Sequence, residues 1–143
     1  MTPGPFDLER FLNAQESVYP TALAELRGGR KRTHWMWFVF PQFAGLGSSA
    51  TSWHFAIKSL EEARAYLRHP VLGARLEECA GALIGIEGRS AADIFPYPDD
   101  LKLQSSMTLF DLVAPPGSVF ARVLDKYFGG ERDGTTVRLV EQT

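Results

Sequence analysis

Apolar residues recur every three or four positions along most of this chain, the spacing of one face of an α-helix. The clearest run is Leu72, Leu76, Cys79, Leu83 and Ile86, which predicts a helix that starts near Pro70 and ends at Gly88. Just before it, Ser59-Leu60-Glu61-Glu62 reads as a capping box: the serine oxygen meets the N3 amide and Glu62 reaches back. That helix runs to about His69, with Leu60, Ala63 and Leu67 inward. Nearer the N-terminus, Asp7 is expected to cap a helix carrying Leu8, Phe11, Leu12 and Gln15 on one side. A second begins near Tyr19-Pro20, turns Leu23 and Leu26 inward, and stops at Gly28-Gly29.

In the second half, Ser90 caps a short helix from Ala91 to Phe95, and Pro96-Tyr97-Pro98 forces an extended turn. Asp99 or Asp100 then opens a helix through about Val113, with Leu101, Ser105, Thr108 and Leu112 along one face. Ser118 caps the next, striped by Val119, Val123, Leu124 and Tyr127 and closed by Gly129-Gly130. A last one spans Thr135 to Glu141. Residues 30–58 break the pattern. The apolar stretch Trp35 to Phe40 fits a buried strand or a buried helical segment equally, and Pro41 discourages continuation of either. Gly45-Leu46-Gly47-Ser48-Ser49 is a flexible turn. The expectation is an all-α fold: one compact domain over residues 1–143, six to eight helices with short connections, and residues 1–5 as a frayed leader.

Composition narrows the classes. Of 143 residues, 45% are hydrophobic and 22% charged, which suits a folded chain with its own core. The 15 basic and 17 acidic residues give a formal charge of -2, so there is no general attraction to nucleic acid or an anionic membrane. One cysteine, Cys79, permits no internal disulfide and no multi-cysteine metal site. No stretch is long enough to span a membrane, and Met1 to Glu9 lacks the features of a secretory signal, so the cytoplasm is the expected compartment.

Several of these stretches together resemble one family, the uncharacterised bacterial domain-of-unknown-function family DUF1810, loosely labelled calpastatin-like. The motifs are Phe6-Asp7-Leu8-Glu9-Arg10-Phe11, Gly29-Arg30-Lys31-Arg32 through His34-Trp35-Met36-Trp37-Phe38, and Phe40-Pro41-Gln42 with the glycine turn after it. Tyr66-Leu67 with His69-Pro70-Val71-Leu72-Gly73, Pro98-Asp99-Asp100-Leu101-Lys102-Leu103, Ser105 to Phe110 and Lys126-Tyr127-Phe128-Gly129-Gly130 complete them. The resemblance covers nearly the whole chain. It implies a compact all-α fold and no particular activity. Calpastatin-type inhibitors are disordered, and this composition is that of a folded domain. Two positions depart from the family pattern: Pro96-Tyr97 stands where a glycine often precedes Pro98, and Phe55 where a tyrosine is common.

Three segments are candidates for chemistry. Arg30-Lys31-Arg32-Thr33-His34-Trp35-Met36-Trp37 puts cations beside indoles, which can hold a flat anion by charge and stacking; a solvated basic turn before core tryptophans explains it equally. His34 is the best single proton-transfer candidate there, since imidazole titrates near neutrality. Asp99-Asp100-Leu101-Lys102 places two carboxylates at a helix start, where the helix dipole alone would stabilise them. One of them could instead bind a ribose hydroxyl or orient a water, and Lys102 could meet a phosphate. Ser105-Ser106-Met107-Thr108 crowds hydroxyls into a helix; Lys102, Ser105 and Thr108 make a polar stripe on an otherwise apolar element, unless the hydroxyls bond carbonyls four residues back. Gly47 and Ser48 of the glycine turn could offer amides to a phosphate, with Gln42 beside them. No metal site or cofactor is expected.

Two functions follow. In the first, Arg32 and Lys102 meet phosphate, Trp35 or Trp37 stacks, and His34 or Asp100 moves a proton, on a nucleotide-like or ADP-ribose-like ligand. Its most concrete version is hydrolysis of an N-glycosidic bond, which rests on a loose likeness in helix content to small glycosidases of the NADAR type. The alternative is a non-catalytic protein–protein interaction module, favoured by an exposed apolar patch near Phe38, Phe40 and Phe43. The oligomeric state is left open.

Overall fold

The computed structural model describes residues 6–143. Ten helices follow one another along them, with no β-strand: α1 Glu9–Gln15, α2 Tyr19–Arg27, α3 Met36–Val39, α4 Ala50–Phe55, α5 Leu60–Arg68, α6 Leu72–Ile84, α7 Ala91–Ile94, α8 Asp99–Val113, α9 Val119–Phe128 and α10 Gly134–Glu141. The all-α class is as expected, whereas the number exceeds the expected six to eight. Seven helices have seven residues or more; the short α7 was expected from Ser90, and the excess lies in α3 and α4, four and six residues long and too short to leave a periodic signature. The expected leader, residues 1–5, lies outside the described residues.

The undecided stretch from Trp35 to Phe40 is a helical turn, α3, and the chain then runs extended. Phe43 forms an isolated parallel bridge with Ile57, closing residues 44–56 into a loop that carries α4. Several local signals act as their chemistry requires. Pro20 sits in the first turn of α2, and Gly129 ends α9 in the left-handed conformation, at φ 62°. Ser90 and Asp93 form a complete capping box on α7. Others differ. Asp7 does not cap α1, whose N-cap is Leu8. Ser59 does accept the Glu62 amide, yet the Glu62 carboxylate takes the Lys58 amide instead of turning back to Ser59. α6 stops at Ile84, four residues before Gly88.

α8 lies at the centre. Residues 105–110 are buried without interruption, because α5, α7, α9 and α10 pack around it. A helix covered on all sides has no single apolar stripe. Beside it, Phe11, Tyr66, Phe110 and Phe120 form a chain of aromatic contacts across the core. α5 and α6 meet closely at Gly73, where a Cβ would stand 2.0 Å from the Leu67 carbonyl oxygen.

A buried ion pair ties the N-terminal helix to the rest. Arg10 Nη2 lies 2.7 Å from Glu62 Oε2, with both side chains under a tenth exposed. The same guanidinium donates to the His54 carbonyl (2.7 Å) and the Ala56 carbonyl (2.9 Å). Cys79 is fully buried on α6 near the Tyr19 hydroxyl. Burial pushes its thiol up to about 12, although the contact with Tyr19 pulls the other way. No helix among the described residues is long and apolar enough to cross a membrane.

Candidate functional site

The start of α8 meets the basic–aromatic segment at two points, Asp99 with Lys31 and Lys102 with Trp37. Lys31 donates its backbone N–H to the Ile94 carbonyl at 2.8 Å and turns its ammonium inward to Asp99 Oδ2, 2.9 Å away. Lys102, one turn along α8, meets Asp99 Oδ1 at 3.2 Å. Each lysine also faces an indole: Lys31 Nζ lies 5.3 Å from the Trp35 ring centroid and Lys102 Nζ 4.0 Å from that of Trp37. The result is a row, Trp35, Lys31, Asp99, Lys102, Trp37, in which one carboxylate serves two ammonium groups. Its inner end is closed, since Trp35 and Lys31 are buried. Its outer end opens into a cleft.

That cleft has a volume of about 370 Å³ and lies between α8, the glycine turn and the start of α10. Trp37, Gln42 and Gly47 form one wall, with Leu46 beside them; Lys102 and Ser105 of α8 form another. Five residues singled out in the sequence (Trp37, Gln42, Gly47, Lys102 and Ser105) therefore share one site, and Asp99 stands behind it through Lys102. Gly47 is in a tight place: a Cβ there would fall 2.6 Å from Ser52 Cβ and 3.5 Å from the rim of the Trp37 ring. Ser52 thus leaves no room for a side chain at residue 47.

The third wall includes Asp133, which the sequence analysis did not select. Asp133 caps α10, and its Oδ2 accepts from the Thr136 amide (3.0 Å), the Thr136 hydroxyl (2.6 Å) and Ser105 Oγ (3.2 Å). Its own amide donates to Thr108 Oγ1 at 2.9 Å. The carboxylate is held from two helices, and its other oxygen accepts no hydrogen bond from the described residues. In the sequence Asp133-Gly134-Thr135-Thr136 is a cap signature, but nothing in it points to residues 105 and 108 of another helix.

The remaining candidates stand elsewhere. Trp35 is 1% exposed and donates its Nε1–H to Glu25 at 2.9 Å, so no ligand can stack on it without opening the core. Arg32 is exposed on another face, where a separate groove passes between Arg30, Arg32 and the start of α2. His34 is exposed and lines neither groove. Ser48 is exposed next to Gly47, outside the cleft wall. Thr108 is buried and donates to the Gln104 carbonyl at 2.8 Å, four residues back; Ser105 shares its one proton between the Leu101 carbonyl, at 3.1 Å, and Asp133. Ser106 is fully buried with an unpartnered hydroxyl, and Asp100 has a buried Oδ1 without a partner; neither lines the cleft. Expected roles for His34 and Asp100 in proton transfer therefore find no support from the cleft's geometry.

Glu25 is the residue that shapes the basic segment. Its carboxylate accepts from the Arg32 amide (2.8 Å), the Thr33 amide (3.1 Å), the Thr33 hydroxyl (2.8 Å) and Trp35 Nε1. Burial works to raise its pKa, but these donors outweigh it and hold the carboxyl well below the usual range, at about 2. Among the described residues no three His, Cys, Asp or Glu side chains gather as a metal site.

Comparison with known proteins agrees with the motif-level resemblance. The family model for "Protein of unknown function (DUF1810)" matches residues 5–140. The chain belongs to the DUF1810 family. A solved structure, that of the conserved hypothetical protein Rv1873 from Mycobacterium tuberculosis, is 55% identical, with a TM-score of 0.95. The alignment covers 97% of this chain and 99% of that one. A search of curated proteins finds no match.

Proposed function

We propose that this DUF1810 protein binds a small phosphate-bearing, nucleotide-like or ADP-ribose-like molecule in the cleft between Trp37, the glycine turn and α8. The single observation that carries the reading is Lys102, an ammonium that reaches both the cleft and an indole face while its carboxylate partner is already neutralised by a second lysine. A phosphate suits the ammonium, a flat ring suits Trp37, and a sugar hydroxyl suits the free oxygen of Asp133. Gln42 adds an amide donor at the wall, and Ser105, whose proton is engaged by Leu101 and Asp133, offers only its oxygen as an acceptor.

The finer form of the proposal is hydrolysis of an N-glycosidic bond. Asp133 is the carboxylate suited to it. Its free oxygen would take a proton from a water attacking the anomeric carbon, while the base leaves with the electrons of the broken C–N bond. Asn is a good helix cap, so Asp133→Asn keeps the cap on α10 and replaces the free carboxylate oxygen by an NH2 group that can bond a sugar oxygen but cannot take a proton. Loss of base release with a dissociation constant unchanged within about threefold supports that role; unchanged turnover excludes it. The interaction-module alternative has less behind it, because Phe40 and Phe43 are buried and Phe38 is half-buried.

Binding is tested by a thermal-shift screen against nucleotides, NAD, ADP-ribose and inorganic phosphate. A ligand at 100 times its dissociation constant stabilises by about 2.7 kcal/mol, a shift of a few degrees for a chain of this size. A shift that disappears in Trp37→Ala supports the cleft; one that survives it moves the site elsewhere, and no shift across the panel turns attention to macromolecular partners.

A further inference from the structure

Lys102 and Trp37 line the same cleft, yet in the absence of a ligand they occupy each other. The ammonium lies 4.0 Å from the ring centroid, over the indole face that a planar ligand group would need. Which of the two can move is decided by their surroundings. Trp37 is half-buried and its ring packs in the wall formed with Phe43, Gly47, Ser52 and Phe55, and only two side-chain torsions could move it. Lys102 has a flexible stem, its side chain is 21% exposed, and it holds Asp99 through one oxygen only. Asp99 keeps Lys31 on its other oxygen, and Lys31 is buried and fixed by its backbone bond to Ile94. Departure of Lys102 therefore leaves no uncompensated carboxylate behind.

We propose that Lys102 is a movable cap on Trp37, drawn off the indole by the anionic group of the ligand, so that anion and ring are bound cooperatively. This deepens the binding reading above and rests on it. A cation over an exposed ring is a weak contact, whereas an ammonium on phosphate makes charge-assisted hydrogen bonds. The ligand's phosphate thus uncovers the surface its own ring then stacks on. The substrate class is a molecule carrying both, a ring-bearing phosphate ester. A bare nucleoside must displace the cap without compensation, and free phosphate gains nothing from the uncovered ring.

The test uses adenosine monophosphate, adenosine and inorganic phosphate, titrated calorimetrically into the full chain and into Lys102→Met, with Lys102→Arg as the charge-preserving control. In the wild type the monophosphate should bind at least about tenfold more tightly than adenosine, the equivalent of one charge-assisted hydrogen bond. In Lys102→Met that advantage should vanish, while adenosine should bind at least as tightly as to the wild type, its indole now uncovered. Lys102→Arg should keep the monophosphate preference. Adenosine binding weakened by Lys102→Met, or a monophosphate preference that survives it, overturns the cap while leaving the binding site standing.

Acrylamide quenching in a Trp53→Phe background reads the uncapping directly, since Trp35 is buried and Trp37 supplies the accessible signal. Millimolar phosphate should raise the quenching of Trp37 in the wild type and leave Lys102→Met unchanged. Quenching that ignores phosphate in the wild type overturns the cap. If, in addition, none of the three probes binds to the wild type, the site reading falls with it.

Discussion

Glu25 has an outsized effect for a helical glutamate that forms no ion pair among the described residues. Its four donors organise residues 32–35 and anchor the Trp35 indole. Because its carboxyl is held at about 2, below an ordinary value of 4.5, its contribution is present above pH 4.5 and fades as the pH falls toward 2. Glu25→Gln should cost on the order of 1–2 kcal/mol at pH 7, allowing for solvent screening, and the gap to the wild type should close between pH 4.5 and 2. Denaturant melts of both proteins across that range measure it; a gap independent of pH would be inconsistent with an ionised acceptor. Ser106 is the opposite case, a fully buried hydroxyl with no partner among the described residues. Ser106→Ala should be neutral or stabilising by up to about 1 kcal/mol, because it removes a desolvated group and a single atom of volume. A loss above about 1 kcal/mol in the same melts would mean that the hydroxyl has a partner after all.

Close approach between elements puts Gly73 at the α5–α6 contact. A methyl group there meets a carbonyl oxygen at 2.0 Å, and neither backbone can yield without separating the helices. Gly73→Ala should destabilise by about 3 kcal/mol or more, read as a drop in Tm of several degrees. A Tm within a degree of the wild type would show that the pair opens freely. Legibility from sequence also divides at this scale. The bounds of α8 could be read to within about a residue, Asp99 or Asp100 to about Val113, because Pro98 before and Pro115 after leave little choice. Its environment could not: six consecutive buried residues mix serine, threonine, methionine, leucine and phenylalanine, and no period survives when neighbours cover every side. The cleft was half legible for a related reason. Trp37, Gly47, Lys102 and Ser105 stood out as anomalies of their own segments, while Asp133 looked like an ordinary cap and Glu25 like an ordinary helical surface residue. Their importance comes from partners on other elements, which local pattern does not encode. Conversely, the tryptophan and histidine that stood out beside Trp37 turned to the core and to open solvent.

Across the whole molecule, the Arg10–Glu62 pair joins α1 to α5 over 52 positions of chain and gathers the carbonyls at the end of α4 on its way. Removal of one partner leaves the other buried and uncompensated. Arg10→Met or Glu62→Gln alone should cost about 3–5 kcal/mol, and the double variant less than the sum of the two. Additive losses in a double-mutant cycle would mean the two side chains act independently.

Cys79 offers a use that its place in the core makes available. The chain has one sulfhydryl, sealed inside α6 and protonated far above physiological pH. A maleimide cannot reach it, and a buried thiol is a poor nucleophile even to reagents that can. Modification should therefore proceed only from conformations in which α6 has come away from its neighbours, and its rate under native conditions becomes a stopwatch for that opening. The protein carries a natural single-site label for its own breathing, one that a tightly bound cleft ligand should slow in proportion to occupancy.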